Sequence, residues 1–221
     1  MSWTLRMRFA GPMQSWGTRS RFDRRDTEIA PSKSGVIGLV AAALGRGRTE
    51  PLDDLAALRM GVRLDDEGVL MRDLHTAQNV IKADGSGLQD TALSERHFIA
   101  DATFLVGLEG EDKELLAAVD AALERPRWPL ALGRRSFPPS KPVYLRPPTD
   151  PDPIVEQGLE EALVSCPPLV DSQKGPDVRY LIEDESGDQY WFDQLTDNFA
   201  DRGFVIRRVR MAVAPWGEPW S

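Results

Sequence analysis

Arginine side chains are concentrated near the start of the sequence, in the stretch GPMQSWGTRSRFDRR. Arg19, Arg21, Arg24 and Arg25 fall within seven positions that contain a single acid, Asp23. An arginine fork donates paired hydrogen bonds to phosphate oxygens, so this composition is typical of phosphate recognition. We predict that the stretch binds a phosphate-bearing ligand. A solvated network with Asp23 and neighbouring acids is the alternative interpretation.

The arginine-rich stretch lies in a positively charged segment of a chain that is negatively charged overall. Residues 1–48 carry nine Lys/Arg and three Asp/Glu, a balance of +6, whereas the remaining 173 residues carry 18 and 32, a balance of −14. The potential that attracts a ligand depends on local clustering more than on net charge. A basic end on an acidic body therefore favours one particular polyanion and discourages binding to bulk nucleic acid.

Other groups suited to an RNA strand lie close to the arginines. Ser32, Lys33 and Ser34 open a predicted helix, and the first N–H groups of a helix bind anions. The segment 14–16 adds polar groups for base edges and a ring on which an unpaired base can stack, although a core position explains Trp16 as well. The predicted RNA-binding residues are Gln14, Ser15, Trp16, Arg19, Arg21, Arg24, Arg25, Ser32, Lys33, Ser34, Arg46, Arg134 and Arg135.

The residue types that usually carry catalysis do not have the spacing that catalysis needs. The glycines around residue 17 lack the spacing of a P-loop, and Lys33 precedes the glycine that it would have to follow. The two histidines, His75 and His97, form no metal-binding motif and no nucleophilic triad. Cys166 is the single cysteine, which excludes an internal disulfide. We expect no catalytic residue, no metal site and no cofactor.

The composition is that of an ordinary globular protein. The 221 residues are 41% hydrophobic and 28% charged, which suits one large domain or two small ones. No apolar run is long enough to cross a membrane, and the first residues alternate polar and apolar side chains instead of forming a signal peptide. We expect a soluble, cytoplasmic protein with no membrane partner.

Hydrophobic periodicity predicts the elements that position these residues. Alternation over 3–9 indicates a strand, and apolar residues at helical spacing predict a helix over 34–44. Two strand-like runs around Asp66 and Gly68 indicate an antiparallel hairpin. The polar segment 82–94 is predicted to be a long protruding loop.

A second amphipathic helix is predicted in EDKELLAAVDAALE, ending near Pro126. With a closing strand, the order strand, helix, strand, strand, helix would give an α+β unit of ferredoxin-like (RRM-like) type. We predict an RNA-binding domain over 1–150, with the proline-rich segment 126–153 wrapped around it. A smaller β-rich domain over 151–221 is predicted to contain a hairpin around Ser186 and Gly187.

Several motifs together resemble a known family: GPMQSWG at 11–17, SRFDRRDT at 20–27, PSKSGVIGLVAAALGR at 31–46, DLHTAQ at 73–78 and LGRRSFPP at 132–139. They are similar to the fifth-family Cas proteins of type I-E CRISPR Cascade complexes, which belong to a repeat-associated RNA-binding superfamily. The likeness runs through most of residues 1–145 in the expected order.

The resemblance implies an RRM-like N-terminal domain with a β-hairpin thumb at about 75–100. It implies a non-catalytic subunit that caps the 5′ handle of the guide RNA (crRNA) in antiviral defence. The implied partners are the crRNA, the backbone subunit, the large subunit that reads the PAM, and target DNA, indirectly or through the thumb.

Two other functions stay open at the level of sequence. A relative in another subtype processes precursor crRNA, so a metal-independent endoribonuclease using His75 is conceivable. The acidic C-terminal half, with Trp216 and Trp220 in its tail, would also suit a protein-interaction module without RNA contact.

Overall fold

A computed structural model describes residues 1–18, 24–82, 84–171, 175–201 and 203–219, which form a mixed α+β fold. The strands are β1 (Trp3–Ala10), β2 (Met13–Gln14), β3 (Arg24–Arg25), β4 (Arg59–Asp66), β5 (Val69–Ile81), β6 (Leu88–Ala100), β7 (Thr103–Gly110), β8 (Ile154–Val155), β9 (Asp177–Glu183), β10 (Gln189–Leu195) and β11 (Phe204–Pro215). The helices are α1 (Lys33–Leu44), α2 (Asp53–Ala56), α3 (Lys113–Glu124) and α4 (Leu159–Ser165).

Local sequence signals account for the two long helices. Ser32 is the N-cap of α1, and Gly45 ends the helix in the left-handed conformation that glycine adopts without strain. Asp112 caps α3 by accepting a hydrogen bond from the N–H of Leu115, and the chain leaves the helix before Pro126. The predicted bounds of both helices agree with the structure to within one or two residues.

The main sheet has seven strands in the order β10-β11-β9-β4-β7-β1-β8, and every neighbouring pair is antiparallel. Within it, α1 leads from β1 to β4 and α3 leads from β7 towards β8. This is the connectivity that the predicted split βαβ unit requires. The ferredoxin-like assignment itself stays a prediction.

The two hairpins predicted from turn signals are wrong in their pairing. β4 does not pair with β5; it is a central strand between β7 and β9, and its residues are buried on both faces of the sheet. β9 and β10 are joined by the predicted turn, yet β11 lies between them. A Cβ on Gly187 in that turn would lie 2.4 Å from the backbone of Val209 in β11, so only glycine allows this approach.

A separate sheet is built on a long hairpin of β5 and β6, with 13 residues in each strand. The strands extend for about 40 Å at about 3.3 Å per residue. β6 begins at Leu88, so residues 88–94 of the loop predicted over 82–94 are strand. The hairpin starts at Val69, before the thumb bounds of 75–100. β2 and β3 pair with β6 on the edge opposite β5 and tie the hairpin base to the N-terminal segment.

The main core lies between the seven-stranded sheet and helices α1 and α3. Fully buried residues here come from alternate positions of β1 and β7 and from the inner helix faces: Leu5, Met7, Phe9, Phe104, Val106, Leu108, Val36, Val40, Leu116 and Val119. Helix α4 covers the opposite face of the sheet through Leu159 and Leu163. Burying each such apolar side chain stabilises the fold by about 1.5–3 kcal/mol.

The β-rich C-terminal segment continues the same sheet, because β9 pairs with β4. The division into domains at residue 150 stays a prediction. In the part of the chain that the structure describes, no helix has the length and hydropathy needed to span a membrane.

Candidate nucleic-acid interface

The start of α1, predicted to bind phosphate, is occupied by side chains of the protein itself. The backbone N–H of Lys33 donates to Asp193 Oδ2 at 2.7 Å, and Lys33 Nζ lies 2.9 Å from Glu183 Oε2. Asp193 also forms a buried ion pair with Arg207, with Nε and Oδ1 2.7 Å apart. Burial lowers the pKa of Lys33, although Glu183 partly offsets this effect. Internal carboxylates thus take the place that the sequence assigns to a phosphate.

The solvent exposure of residues 32–34 also argues against a phosphate at the start of α1. Ser32 and Lys33 are each 2% exposed, whereas Ser34 is half-buried and faces a groove described below. The first two residues are therefore out of reach of a ligand in this structure. Only Ser34, of the three residues predicted at the helix start, lies at an accessible surface.

The predicted base-contacting segment is also buried. Trp16 is 1% exposed and its ring stacks on Phe9, with ring centroids 5.6 Å apart. Gln14 is fully buried and its Nε2 donates to the backbone oxygens of Phe9 and Ala102. Ser15 Oγ donates to His97 O at 3.2 Å. In this structure these residues join the N-terminal segment to the hairpin base and offer no face to a base.

The arginine stretch is only partly within the described residues. Arg19 and Arg21 lie outside them. The structure describes the backbone of Arg24, in β3, next to β6. Arg25 is exposed and lies opposite Arg96 in the parallel β3–β6 pairing. The stretch therefore reaches the base of the hairpin.

Three arginines from distant parts of the chain meet at this point: Arg25, Arg96 and Arg134, called here the hairpin-base arginines. Arg134 Nη2 donates to the backbone oxygens of Arg25 at 3.3 Å and His97 at 3.0 Å. Burial lowers the pKa of Arg134, and the positive charges of Arg96 and Arg25 lower it further.

The carboxylates described near this group lie beyond ion-pair distance. Asp73 and Asp26 act on Arg134 from a distance and partly raise its pKa. Among the described residues, no carboxylate lies within ion-pair distance of Arg25, Arg96 or Arg134. Mutually repelling guanidinium groups without close counter-ions favour binding of an external anion.

A groove of about 890 Å³, called here the α1 groove, runs along the outer face of α1. Its lining residues are Ser34, Gly35, Gly38, Leu39, Ala41, Ala42, Arg46, Arg48, Trp128, Pro129, Ala131, Gly133, Arg135 and Phe199. Three of them are arginines, and none of these described lining residues is Asp or Glu. The groove is thus a cationic site on a chain whose net charge is −8.

The three groove arginines differ in their partners. Arg46 forms a two-pronged ion pair with Asp54, with N–O distances of 2.6 and 2.5 Å. Arg48 and Arg135 are exposed, and neither has a carboxylate within ion-pair distance in the described ranges. Arg48 and Arg135 are therefore free to contact a ligand.

Backbone hydrogen bonds fix the walls of the α1 groove. The N–H groups of Arg127 and Trp128 donate to the last carbonyls of α1, at Ala43 (2.9 Å) and Ala42 (3.2 Å). On the other wall, the N–H of Ala200 donates to Arg48 O at 2.9 Å. The first two bonds satisfy carbonyls that the end of α1 leaves open, and the third ties the segment after the helix to the loop at Ala200.

The loop 132–137 connects the groove with the hairpin base. Its Arg134 reaches the hairpin, while the adjacent Arg135 lines the groove. Gly133 has a φ of +88°, and a Cβ there would lie 1.7 Å from Ser15 O. Glycine is therefore required where the loop passes the N-terminal segment. The two arginine groups form one basic surface across this loop.

The described residues contain no arrangement suited to catalysis by His75. His75 is exposed on β5, and its backbone oxygen accepts a hydrogen bond from Ser94 Oγ. His97 Nε2 lies 3.2 Å from Glu95 Oε1. Cys166 is buried, and burial raises the pKa of its thiol. No group of metal-ligating side chains occurs within the ranges that the structure describes.

Sequence reasoning missed four residues of this surface: Arg48, Arg96, Trp128 and Phe199. Arg48 follows Arg46 in the segment GRGR after α1, which was a usable signal. Trp128 lies between prolines and arginines in RPRWP, which marks an exposed loop. Arg96 and Phe199 became visible only through the pairing of β3 with β6 and the packing of Phe199 on Gly38.

Comparisons with known proteins agree on one family. A family model described as CRISPR-associated protein (Cas_Cas5) matches residues 4–211. The curated protein "CRISPR system Cascade subunit CasD" from Escherichia coli (strain K12) is 31% identical over 95% of this chain and 98% of its own length.

Two solved structures are similar over nearly the whole chain. One, described as "Crystal structure of Cas protein", is 46% identical with a TM-score of 0.80, and covers 99% of this chain and 98% of its own. The other, described as "CRISPR RNA-guided surveillance complex", is 30% identical with a TM-score of 0.74, and covers 98% of this chain and 91% of its own.

Proposed function

The chain belongs to the CRISPR-associated Cas5 family, and on that premise we propose that it is a subunit of a Cascade-type, RNA-guided surveillance complex in the cytoplasm of a prokaryote. Within this complex it binds the crRNA and caps its 5′ handle. The role is structural: the chain holds RNA and does not cut it.

The observation that carries the proposal is the basic surface across the loop 132–137. The hairpin-base arginines supply three positive charges, and Arg48 and Arg135 supply two more. Five arginines without close carboxylates in the described part of the chain match a strand of phosphates. Residues 49–221 carry 18 Lys/Arg and 32 Asp/Glu, a balance that disfavours nucleic acid on the rest of the protein.

The hairpin suits contact with neighbouring subunits. Its exposed apolar residues are Val69, Leu70, Met71, Leu74, Ile81, Leu88 and Leu93, each at least 48% exposed. Apolar side chains exposed on both faces of a two-stranded ribbon are costly in water unless partners cover them. The backbone subunit and the large PAM-reading subunit are the partners that fit the proposal, and target DNA would pass near the same hairpin.

Co-purification tests the proposal directly. The chain is co-expressed with its companion subunits and a CRISPR array, and the RNA recovered with the complex is sequenced. We expect RNA with one defined 5′ end, and we expect Arg25→Glu with Arg96→Glu to reduce its recovery at least tenfold.

Arg72→Glu with Arg125→Glu is the matched control, because Arg72 points to the opposite face of the same hairpin and Arg125 is exposed after α3. We expect this control to retain the RNA. Equal recovery from the two double variants would contradict the proposal. Cleavage of repeat RNA by the purified chain, lost in His75→Ala, would instead indicate an endoribonuclease.

A further inference from the structure

We propose that the α1 groove is a binding site for one unstacked nucleobase of the bound RNA, with Trp128 as the stacking surface. This inference rests on the proposed function and deepens it, because it assigns a base contact to a surface otherwise described by its charge. Its volume of about 890 Å³ lies within the range of small-molecule sites, about 300–1,000 Å³.

The floor of the groove allows a flat ring to approach the helix. Gly35, Gly38 and Ala42 of α1 line the groove with small side chains, and the ring of Trp16 packs against Gly35. Phe199 packs against Gly38, with its Cζ 3.3 Å from where a Cβ would be, and closes one side. An apolar slot between a helix and aromatic side chains suits a planar base.

Trp128 supplies the ring surface that Trp16 does not. Its side chain is 43% exposed and lines the groove, whereas Trp16 is 1% exposed. The hydrogen bond from the Trp128 N–H to Ala42 O fixes the backbone under the ring. An aromatic ring that is held in place but left half open is the arrangement by which single-stranded RNA is bound through its bases.

The charge at the rim selects the ligand class. Arg48 and Arg135 reach the groove from opposite walls, and no described lining residue is acidic. A neutral apolar peptide would gain nothing from these cations, whereas a nucleotide places its phosphate at the rim when its base enters the groove. An unpaired RNA nucleotide is therefore the occupant that fits both the apolar floor and the cationic rim.

Abasic RNA gives a direct test. The probe is the full-length chain with synthetic single-stranded RNA of the repeat-derived 5′ handle, either intact or with one abasic site at each position in turn. We expect an abasic site at one position to weaken binding about tenfold, since stacking on an aromatic ring contributes about 1–3 kcal/mol per base.

Two variants identify the groove as the cause. In Trp128→Ala, and in Ala42→Leu, which fills the groove with a good helix former, that abasic site should cause no further loss. Tyr190→Ala, an exposed aromatic on β10 that does not line the groove, should keep the full tenfold penalty. Circular dichroism confirms that each variant is folded.

The outcomes separate this inference from the proposed function. If intact RNA binds and Arg25→Glu with Arg96→Glu abolishes binding, but every abasic penalty is the same in wild type and Trp128→Ala, the groove is not a base site and the proposed function stands. If intact RNA does not bind, both are overturned.

Discussion

The start of α1 and the base of the hairpin are both positively charged, but carboxylates of the described residues neutralise only the first. Lys33 and the first N–H of α1 are neutralised inside the protein by Glu183 and Asp193. At the hairpin base, Arg134 is held by two backbone oxygens and keeps its charge available. A basic residue binds an external anion only where the fold brings no carboxylate to it.

The largest expected effect is on stability, at the neutralised region. Asp193→Asn removes the counter-ion of Arg207, whose side chain is 6% exposed. We expect the free energy of unfolding in urea to fall by about 3–5 kcal/mol, the usual cost of breaking a buried pair from one side. Below the unfolding temperature, RNA affinity should stay within about twofold of wild type.

Asp90→Asn, an exposed acid on β6, is the matched control and should leave stability within about 0.5 kcal/mol of wild type. A small stability loss in Asp193→Asn together with a large change in RNA affinity would mean that the start of α1 is an accessible anion site after all. That result would remove the distinction between the two regions.

Arg46 is intermediate between the two regions, because it lies in the basic groove but is neutralised by a carboxylate. It lines the α1 groove but is held by Asp54. Asp54→Asn should free this guanidinium for phosphate and raise RNA affinity about threefold at low salt, since one more cation becomes available. Fluorescence anisotropy with the handle RNA measures this, and an unchanged or weaker affinity would exclude Arg46 from the interface.

The smallest effect concerns the pH dependence of that same pair. The hydrogen bonds from Arg46 hold the pKa of Asp54 below its ordinary value of 3.8. A carboxyl with a lowered folded-state pKa contributes stability that is present above its unfolded pKa and is lost as pH falls through the folded one. Because the Asp54 side chain is 41% exposed and screened by solvent, the contribution is less than about 1 kcal/mol.

The stability difference between wild type and Asp54→Asn should therefore be present at pH 6 and vanish as pH falls below 3.8. Urea titrations of wild type and Asp54→Asn, at pH 6 and again below pH 3.8, check this. A difference that grows on acidification would show that the pair is not formed in solution.

The sequence predicted what short-range patterns determine. Alternation in β1 and helical spacing in α1 and α3 gave those elements with nearly correct bounds, and the arginine stretch and the loop at 132–139 pointed to the basic surface. Strand pairing failed for β4 and β9, because the turn that follows a strand does not say which strand will lie beside it.

The structure departs from the predicted site where the deciding partner is distant in sequence. Asp193 is 160 residues from Lys33, and no local pattern connects them. The sequence allows both a stacking surface and a core position for Trp16, and the structure has the core position, with Phe9 of β1 against its ring. The residues next to Trp128 in the sequence show no pattern for base contact, and the contact that we propose depends on the small residues of α1 that line the same groove.

The salt dependence of RNA affinity tests the central claim most directly. If Arg25, Arg96, Arg134, Arg48 and Arg135 each contact a phosphate, the log–log slope of affinity against salt should be about −3.5, at about 0.7 per contact on single strands. Arg25→Ala with Arg96→Ala should shift the slope to about −2.1, whereas Arg72→Ala with Arg125→Ala should leave it unchanged. Equal slopes for wild type and Arg25→Ala with Arg96→Ala would contradict the account, because RNA would then be held elsewhere than on the basic surface.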